Sequence, residues 1–103
     1  MGAEALVKRC LEEGDKAERG DGIYCMKLQH SGGIIMVYKN ETDASELNEE
    51  LGLELTGLEI EGQDDQTKVE IKLGPGEQKV VNLKTTGGGW GFASSCSYAI
   101  GSV

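Results

Sequence analysis

The chain has 103 residues, a length that suits one domain, and 38% of them are hydrophobic, with 16 glycines and one proline. The formal net charge of −8 argues against a nucleic-acid partner, because phosphate contacts require a basic face. Frequent glycine with so little proline is typical of tight turns between strands rather than of a Pro-rich disordered tail.

The first segment has the pattern of an amphipathic helix. Apolar residues at positions 3, 6, 7, 10 and 11 follow the spacing of one helical face, which predicts a helix from about residue 3 to residue 13. The charged, Gly-rich stretch EGDKAERGDG that follows predicts a linker. We therefore divide the chain into a helix and linker over residues 1–21 and a β domain over residues 22–103.

From residue 22 onward, apolar residues recur at every second position, which is the period of a strand. IYCMKLQ and IIMVYKN predict a hairpin that turns at Gly32 and Gly33. LGLEL and KVEIKL alternate apolar with charged residues, and GPGE is a turn before a further strand. The pattern predicts an all-β fold: a single antiparallel β-sandwich of the immunoglobulin or C2 type, of about seven or eight strands, with a short N-terminal helix.

The apolar positions change parity near Gly57. The leucines of LGLEL occupy odd positions, whereas Leu58 and Ile60 occupy even ones. One extra residue in a strand reverses the face of every following side chain, so we interpret the change as a β-bulge at Gly57.

The stretch WGFASSCSYAI has large or apolar residues at even positions, with Ser94 as the one polar exception, and small residues at odd positions. This predicts a strand whose even face, including Cys96, is buried in the core. A buried cysteine is a small hydrophobe rather than a nucleophile. A catalytic pair of Cys96 with His30, the only histidine, would require Cys96 outside the core. The sequence therefore predicts no catalytic residue and no enzyme.

Ten acidic residues and no basic residue lie between positions 41 and 65. The first interpretation is a solvated acidic surface. One alternative is a surface that meets a basic partner. The other is a weak Ca²⁺ site in loops at one end of the sandwich, with Asp43, Glu61, Asp64 and Asp65 as weak candidate ligands. We expect no other cofactor, since GGGWG lacks the GK[ST] sequence of a phosphate loop.

The three cysteines show no CxxC spacing, and the N-terminus has no apolar signal segment. Both features predict a reducing, cytoplasmic environment and free thiols. No apolar run reaches the length of a membrane span. Gly2 follows the initiator methionine, but Leu6 stands where a myristoylation motif requires Ser or Thr, so acylation and membrane association stay open.

The succession VYKNETD, LGLELTGLEIEG, VEIKLGPGEQKVVNL and WGFASSCSYAI resembles the small β-sandwich domains associated with calpain-type proteases in protists, including calpain-related proteins without the protease core. The resemblance spans roughly residues 23–101 and implies a non-catalytic regulatory or interaction module with a protein partner. No calpain catalytic residue carries over, because the GxCW context of the nucleophile is absent. The alternative that it leaves open is a Ca²⁺-responsive module that binds a membrane or a protein through acidic loops.

Overall fold

The computed structural model describes residues 3–103, so Gly2 and its acylation lie outside the described residues. Within that range one helix precedes eight strands. Their bounds are α1 (Ala3–Glu13), β1 (Asp15–Gly20), β2 (Ile23–His30), β3 (Gly33–Asn40), β4 (Ser45–Thr56), β5 (Leu58–Ile60), β6 (Lys68–Leu73), β7 (Gln78–Thr85) and β8 (Gly91–Ser102).

The strands form two antiparallel sheets. The larger sheet has the order β1-β2-β3-β7-β5 and the smaller has the order β6-β4-β8. The two sheets pack face to face, which confirms the predicted antiparallel β-sandwich with a short N-terminal helix. The predicted hairpin of β2 and β3 is also present, with His30 opposite Gly33.

The main core lies between the two sheets and follows from the alternation in the sequence. Every second residue of the central strands points inward, where its apolar surface is removed from water. The buried members of this core are Ile23, Cys25, Ile34, Met36, Tyr38, Leu47, Leu51, Leu53, Leu58, Ile60, Val69, Ile71, Leu73, Val81 and Leu83.

A second, smaller core lies under α1. The apolar face of the helix covers the outer face of β2 and β3, where Cys10 packs with Met26, Ile35 and Val37. Strand β3 is therefore buried on both faces, which explains its unbroken apolar run IIMVY. The predicted helix over residues 3–13 is confirmed, and the Gly14 N–H donates to the Cys10 carbonyl 2.8 Å away at its end.

The predicted linker after the helix is wrong. Residues Asp15–Gly20 form β1, which pairs with β2 along the edge of the larger sheet, with an irregularity between Glu18 and Gly20. The segment has too few apolar residues to show a strand pattern. Backbone hydrogen bonds to β2 hold it as a strand, although its own residue pattern does not indicate one.

The change of parity at Gly57 marks a crossing between sheets rather than a bulge within one strand. Strand β4 belongs to the smaller sheet, and β5 belongs to the larger one. Gly57 joins them with φ +66°, so the predicted special glycine is correct but its role is to turn the chain from one sheet to the other. A Cβ atom built at Gly57 would lie 2.5 Å from the Gly89 carbonyl oxygen.

The predicted burial of the even face of β8 is wrong. Strand β8 is an edge strand, and its residues from Ala93 onward are exposed, including Cys96. Of the large residues in WGFASSCSYAI, Trp90 and Phe92 are the two that pack partly against the main core. The large-and-small alternation is real, but the face that it defines is not covered by the opposite sheet.

We expect Gly57→Val to lower the free energy of unfolding by about 1–3 kcal/mol, because a side chain strains the left-handed backbone and meets the Gly89 carbonyl. Gly62→Val is the matched control, since Gly62 also has a positive φ but no atom within 4 Å of a built Cβ. Urea denaturation of both variants measures the difference. Equal losses would show that the close approach at Gly57 has no energetic weight.

Candidate functional site at the open edge of the sandwich

The two sheets have four edge strands, and three of them carry features that discourage further pairing. Strand β1 is short, charged and irregular, β5 has three residues, and β6 places lysine and glutamate along its length. Strand β8 has 12 residues with no charged residue and no proline. Within residues 3–103 it pairs with β4 alone, so it is the long unprotected edge.

The inward face of β8 lies opposite the polar edge strand β1 instead of an apolar one. Tyr98 is 47% exposed and Ile100 is 40% exposed for this reason. Two cations of the larger sheet sit over aromatic rings of this face: the Arg19 guanidinium 5.2 Å from the Tyr98 centroid, and the Lys27 ammonium 5.4 Å from the Phe92 centroid. Cation–π contacts thus replace hydrophobic packing where the sheets meet at this edge.

Between β1 and β8 the sandwich opens into a cleft of about 220 Å³. Its lining includes Arg19, Cys25, Tyr38, Leu51 and Cys96. Cys96 is exposed at the rim, whereas Cys25 is buried and its pKa is raised to about 11 by that burial. The cleft therefore holds one buried, protonated thiol and one exposed thiol.

A buried glutamate anchors this edge from the inside. The side chain of Glu49 is fully buried on the inner face of β4. Its Oε1 accepts from Arg19 Nε at 2.5 Å, and its Oε2 accepts from the Tyr38 hydroxyl at 2.6 Å. The three residues come from β4, β1 and β3, so a single carboxylate connects both sheets.

The environment of this carboxylate shifts the pKa values of its partners. The hydrogen bond to Glu49 raises the pKa of Arg19, while burial is the main cause that raises the pKa of Tyr38. Arg19 therefore stays charged and Tyr38 stays a hydrogen-bond donor across the physiological range. A buried charge of this kind is tolerated because its partners satisfy it.

The prediction that the acidic residues between 41 and 65 form one solvated surface is wrong for Glu49. The signal in the sequence was parity: Glu49 stands at an odd position between Leu47 and Leu51, on the face that points inward. The missing information was its partner, because Arg19 lies 30 residues earlier in a segment without a strand pattern.

The outer face of the same edge is acidic beside a row of small residues. Glu46, Glu50 and Glu54 of β4 lie opposite Gly101, Ser97 and Ala93 of β8, and Glu50 and Glu54 are exposed. A depression of about 380 Å³ lies over this surface, between Ser97 and Ala99 of β8 and the charged residues of β4 and β6. The small side chains of β8 leave the acids of β4 accessible from the open edge.

The four candidate Ca²⁺ ligands lie in two separate loops, with Glu61 directly after the last residue of β5. Asp43 is in the turn before β4, whereas Asp64 and Asp65 are in the loop after β5. Glu61 accepts from Asn82 Nδ2 at 2.8 Å and pairs with Lys84, and Asp65 Oδ1 accepts from the Thr67 N–H and hydroxyl. Among residues 3–103, no three His, Cys, Asp or Glu side chains gather in a group that could hold a metal ion.

Cys96 and His30 are not brought together. Cys96 lies opposite Leu51, on the inner face of the smaller sheet. His30 has the parity of Met26, which faces α1 on the outer side of the larger sheet. The larger sheet therefore separates the thiol from the imidazole.

Comparison with protein-family models, with curated proteins and with solved structures finds no match to this chain. The resemblance to calpain-associated domains therefore stays a prediction. In the part of the chain that the structure describes, no helix is long and apolar enough to cross a membrane.

We expect Arg19→Met to lower the free energy of unfolding by about 3–5 kcal/mol, because it leaves the buried Glu49 carboxylate without its cation. The double variant Arg19→Met, Glu49→Leu should lose less than Arg19→Met alone, since it removes the buried charge together with its partner. Denaturant unfolding of the single and double variants measures this coupling.

The exposed pair of Lys68 with Glu70, 3.8 Å apart, provides the control. Lys68→Met should change stability by about 0–1 kcal/mol, because exposed ion pairs contribute little. Equal losses for Arg19→Met and Lys68→Met would contradict a structural role for the buried carboxylate.

Proposed function

We propose that this protein is a non-catalytic interaction module that binds an extended segment of a partner protein along β8. The observation that carries the proposal is the unprotected edge: β8 is 12 residues long, uncharged and paired on one side within the described residues. An edge strand of this kind offers a row of free backbone N–H and C=O groups to an added strand.

The two faces of the edge favour one kind of partner side chain each. On the inner face, an added strand would lie beside the exposed rings and methyl groups of Tyr98 and Ile100, which favours apolar residues. On the outer face, it would lie two strands, about 10 Å, from the acids of β4. Long basic side chains can cross the small residues of β8 to reach Glu50 and Glu54.

The partner is therefore an extended segment in which lysine or arginine alternates with apolar residues. The net charge of −8 further favours a basic partner through long-range attraction. A second copy of this chain is a poorer occupant, because its own β8 has no basic residue to meet the acids of β4. A non-catalytic interaction module is also what the resemblance to calpain-associated domains implies.

The experiment is a titration of the ¹⁵N-labelled protein with a short peptide of alternating lysine and valine, followed by amide NMR. We expect saturable shifts that centre on Gly91–Ser102. A peptide of alternating glutamate and valine tests the charge requirement. The lysine–valine peptide with a central proline tests the need for strand pairing, because proline removes a backbone donor.

Ser97→Lys places a positive charge on the outer face of β8, opposite Glu50. It should weaken binding of the lysine–valine peptide by about tenfold or more, because a lysine protects an edge strand and repels a basic one. Ser31→Lys, the same substitution in the exposed turn between β2 and β3, is the matched control and should leave affinity unchanged.

Equal binding of the acidic peptide, or shifts centred away from β8, would overturn the proposal. Sedimentation of the protein alone tests whether a second copy of the chain occupies β8. A dimer that Ser97→Lys dissociates would show that β8 pairs with a second copy instead of with a basic partner.

A further inference from the structure

A cavity of about 350 Å³ lies on the opposite side of the molecule from β8. Its walls are the first turns of α1, the turn between β2 and β3, and the outer face of β7. Six of its eight lining residues have polar or cationic side chains, and four of these decide the choice of ligand: Arg9, His30, Asn82 and Lys84. This volume lies at the lower end of the range for small-molecule sites.

Two unsatisfied polar atoms belong to residues that line this one cavity. Among the described residues, the buried side-chain nitrogen and oxygen atoms without a hydrogen-bond partner are His30 Nε2 and Asn82 Oδ1. Leaving a buried donor or acceptor unpaired costs about 1–3 kcal/mol each. Such groups in a folded protein call for an explanation, and a polar ligand that pairs with them is one.

The hydrogen bonds around His30 identify its free atom as a donor. The Gly32 N–H donates to His30 Nδ1 at 3.1 Å, so Nδ1 carries no proton. The proton of the neutral ring is therefore on Nε2. Burial, assisted by the nearby Arg9 charge, lowers the pKa of His30, which keeps the ring in this neutral form at neutral pH.

The free atom of Asn82 is an acceptor. Asn82 Nδ2 donates to Glu61 Oε2 at 2.8 Å, which fixes the amide with Oδ1 unpaired. A ligand that satisfies both residues must accept a hydrogen bond from His30 and donate one to Asn82. An anion without a hydroxyl group lacks the hydrogen-bond donor, and a hydrocarbon lacks both the donor and the acceptor.

The cationic residues favour a negative charge on the ligand. Arg9 pairs with Glu13 at 3.2 Å and Lys84 pairs with Glu61 at 3.4 Å, and all four side chains are 40% exposed or more. Exposed pairs of this kind contribute little to stability, so both cations are free to turn toward an anion. Both unpaired atoms are shielded from solvent in this structure, so a ligand reaches them only when part of the cavity wall moves, for which the exposed side chains of Arg9 and Lys84 have the freedom.

We propose that this cavity binds a small oxyanion that carries a hydroxyl group, of the size of a short sugar phosphate or hydroxy acid. An anionic oxygen accepts from His30 Nε2 and lies near Arg9 and Lys84. The hydroxyl donates to Asn82 Oδ1. This site shares no residue with the β8 edge, so it stands or falls independently of the proposed function.

The test follows the His30 ring by NMR, since the chain has one histidine and its ring signals are unambiguous. The probes are glycerol 3-phosphate, ethyl phosphate and glycerol at one fixed pH. We expect a saturable shift of the His30 ring signals with glycerol 3-phosphate. Ethyl phosphate, which lacks the hydroxyls, should bind about three- to tenfold more weakly, and glycerol should cause no saturable shift.

Variants separate the two contacts. Asn82→Ala should reduce the affinity for glycerol 3-phosphate to that for ethyl phosphate, because the hydroxyl loses its acceptor. Arg9→Gln should weaken both phosphates, whereas Lys79→Gln, an exposed charge outside the cavity, is the control and should leave them unchanged. Sodium lactate and propionate repeat the comparison for a carboxylate that has or lacks the hydroxyl.

Three results would overturn the proposal. The first is the absence of a saturable His30 shift with any anionic probe, which would leave the cavity to water alone. The second is an equal response to glycerol and glycerol 3-phosphate, which would remove the role of charge. The third is the same loss of affinity in Arg9→Gln and Lys79→Gln, which would show that phosphate binding depends only on the net charge of the protein.

Discussion

The buried carboxylate of Glu49 is the interaction on which the arrangement of this edge depends. It accepts hydrogen bonds from Arg19 of β1 and from Tyr38 of β3, and it reaches them from β4 in the other sheet. Strand β1 has few apolar side chains of its own, so the charge on Arg19 gives it a fixed place. A carboxylate buried without Arg19 would be strongly destabilising, which makes the position of β1 a condition of the fold.

The charge on β1 determines how β8, the strand opposite it, is covered. A charged β1 cannot cover the inner face of β8 with hydrocarbon, so Tyr98 and Ile100 remain partly exposed and cations lie over the rings of Tyr98 and Phe92. The two sheets are therefore in close contact on the side of β7 and β5, and they are open on the side of β1 and β8. The same buried ion pair that fixes β1 leaves the longest edge strand available for a partner.

The sequence predicted the elements whose faces are defined by their own side chains. The helix and the inward faces of β4 and β6 follow from periodicity, and Gly57 was identified because the parity changes there. What it could not show is whether a face is covered. The alternation of β8 defines a large face, but its exposure depends on β1, which carries no strand pattern. The burial of Glu49 could not be predicted for the same reason, because its partner Arg19 is distant in the chain.

Amide hydrogen exchange along β8 tests the open edge most directly. In dilute protein, every second amide from Gly91 to Ser102 should exchange rapidly, because an edge strand bonds its neighbour at alternate residues. Residues 47–52 of β4 lie between β6 and β8 and should be protected throughout. Continuous protection along β8 would show that its outer edge is already paired. That result would contradict a free edge and the binding surface built on it.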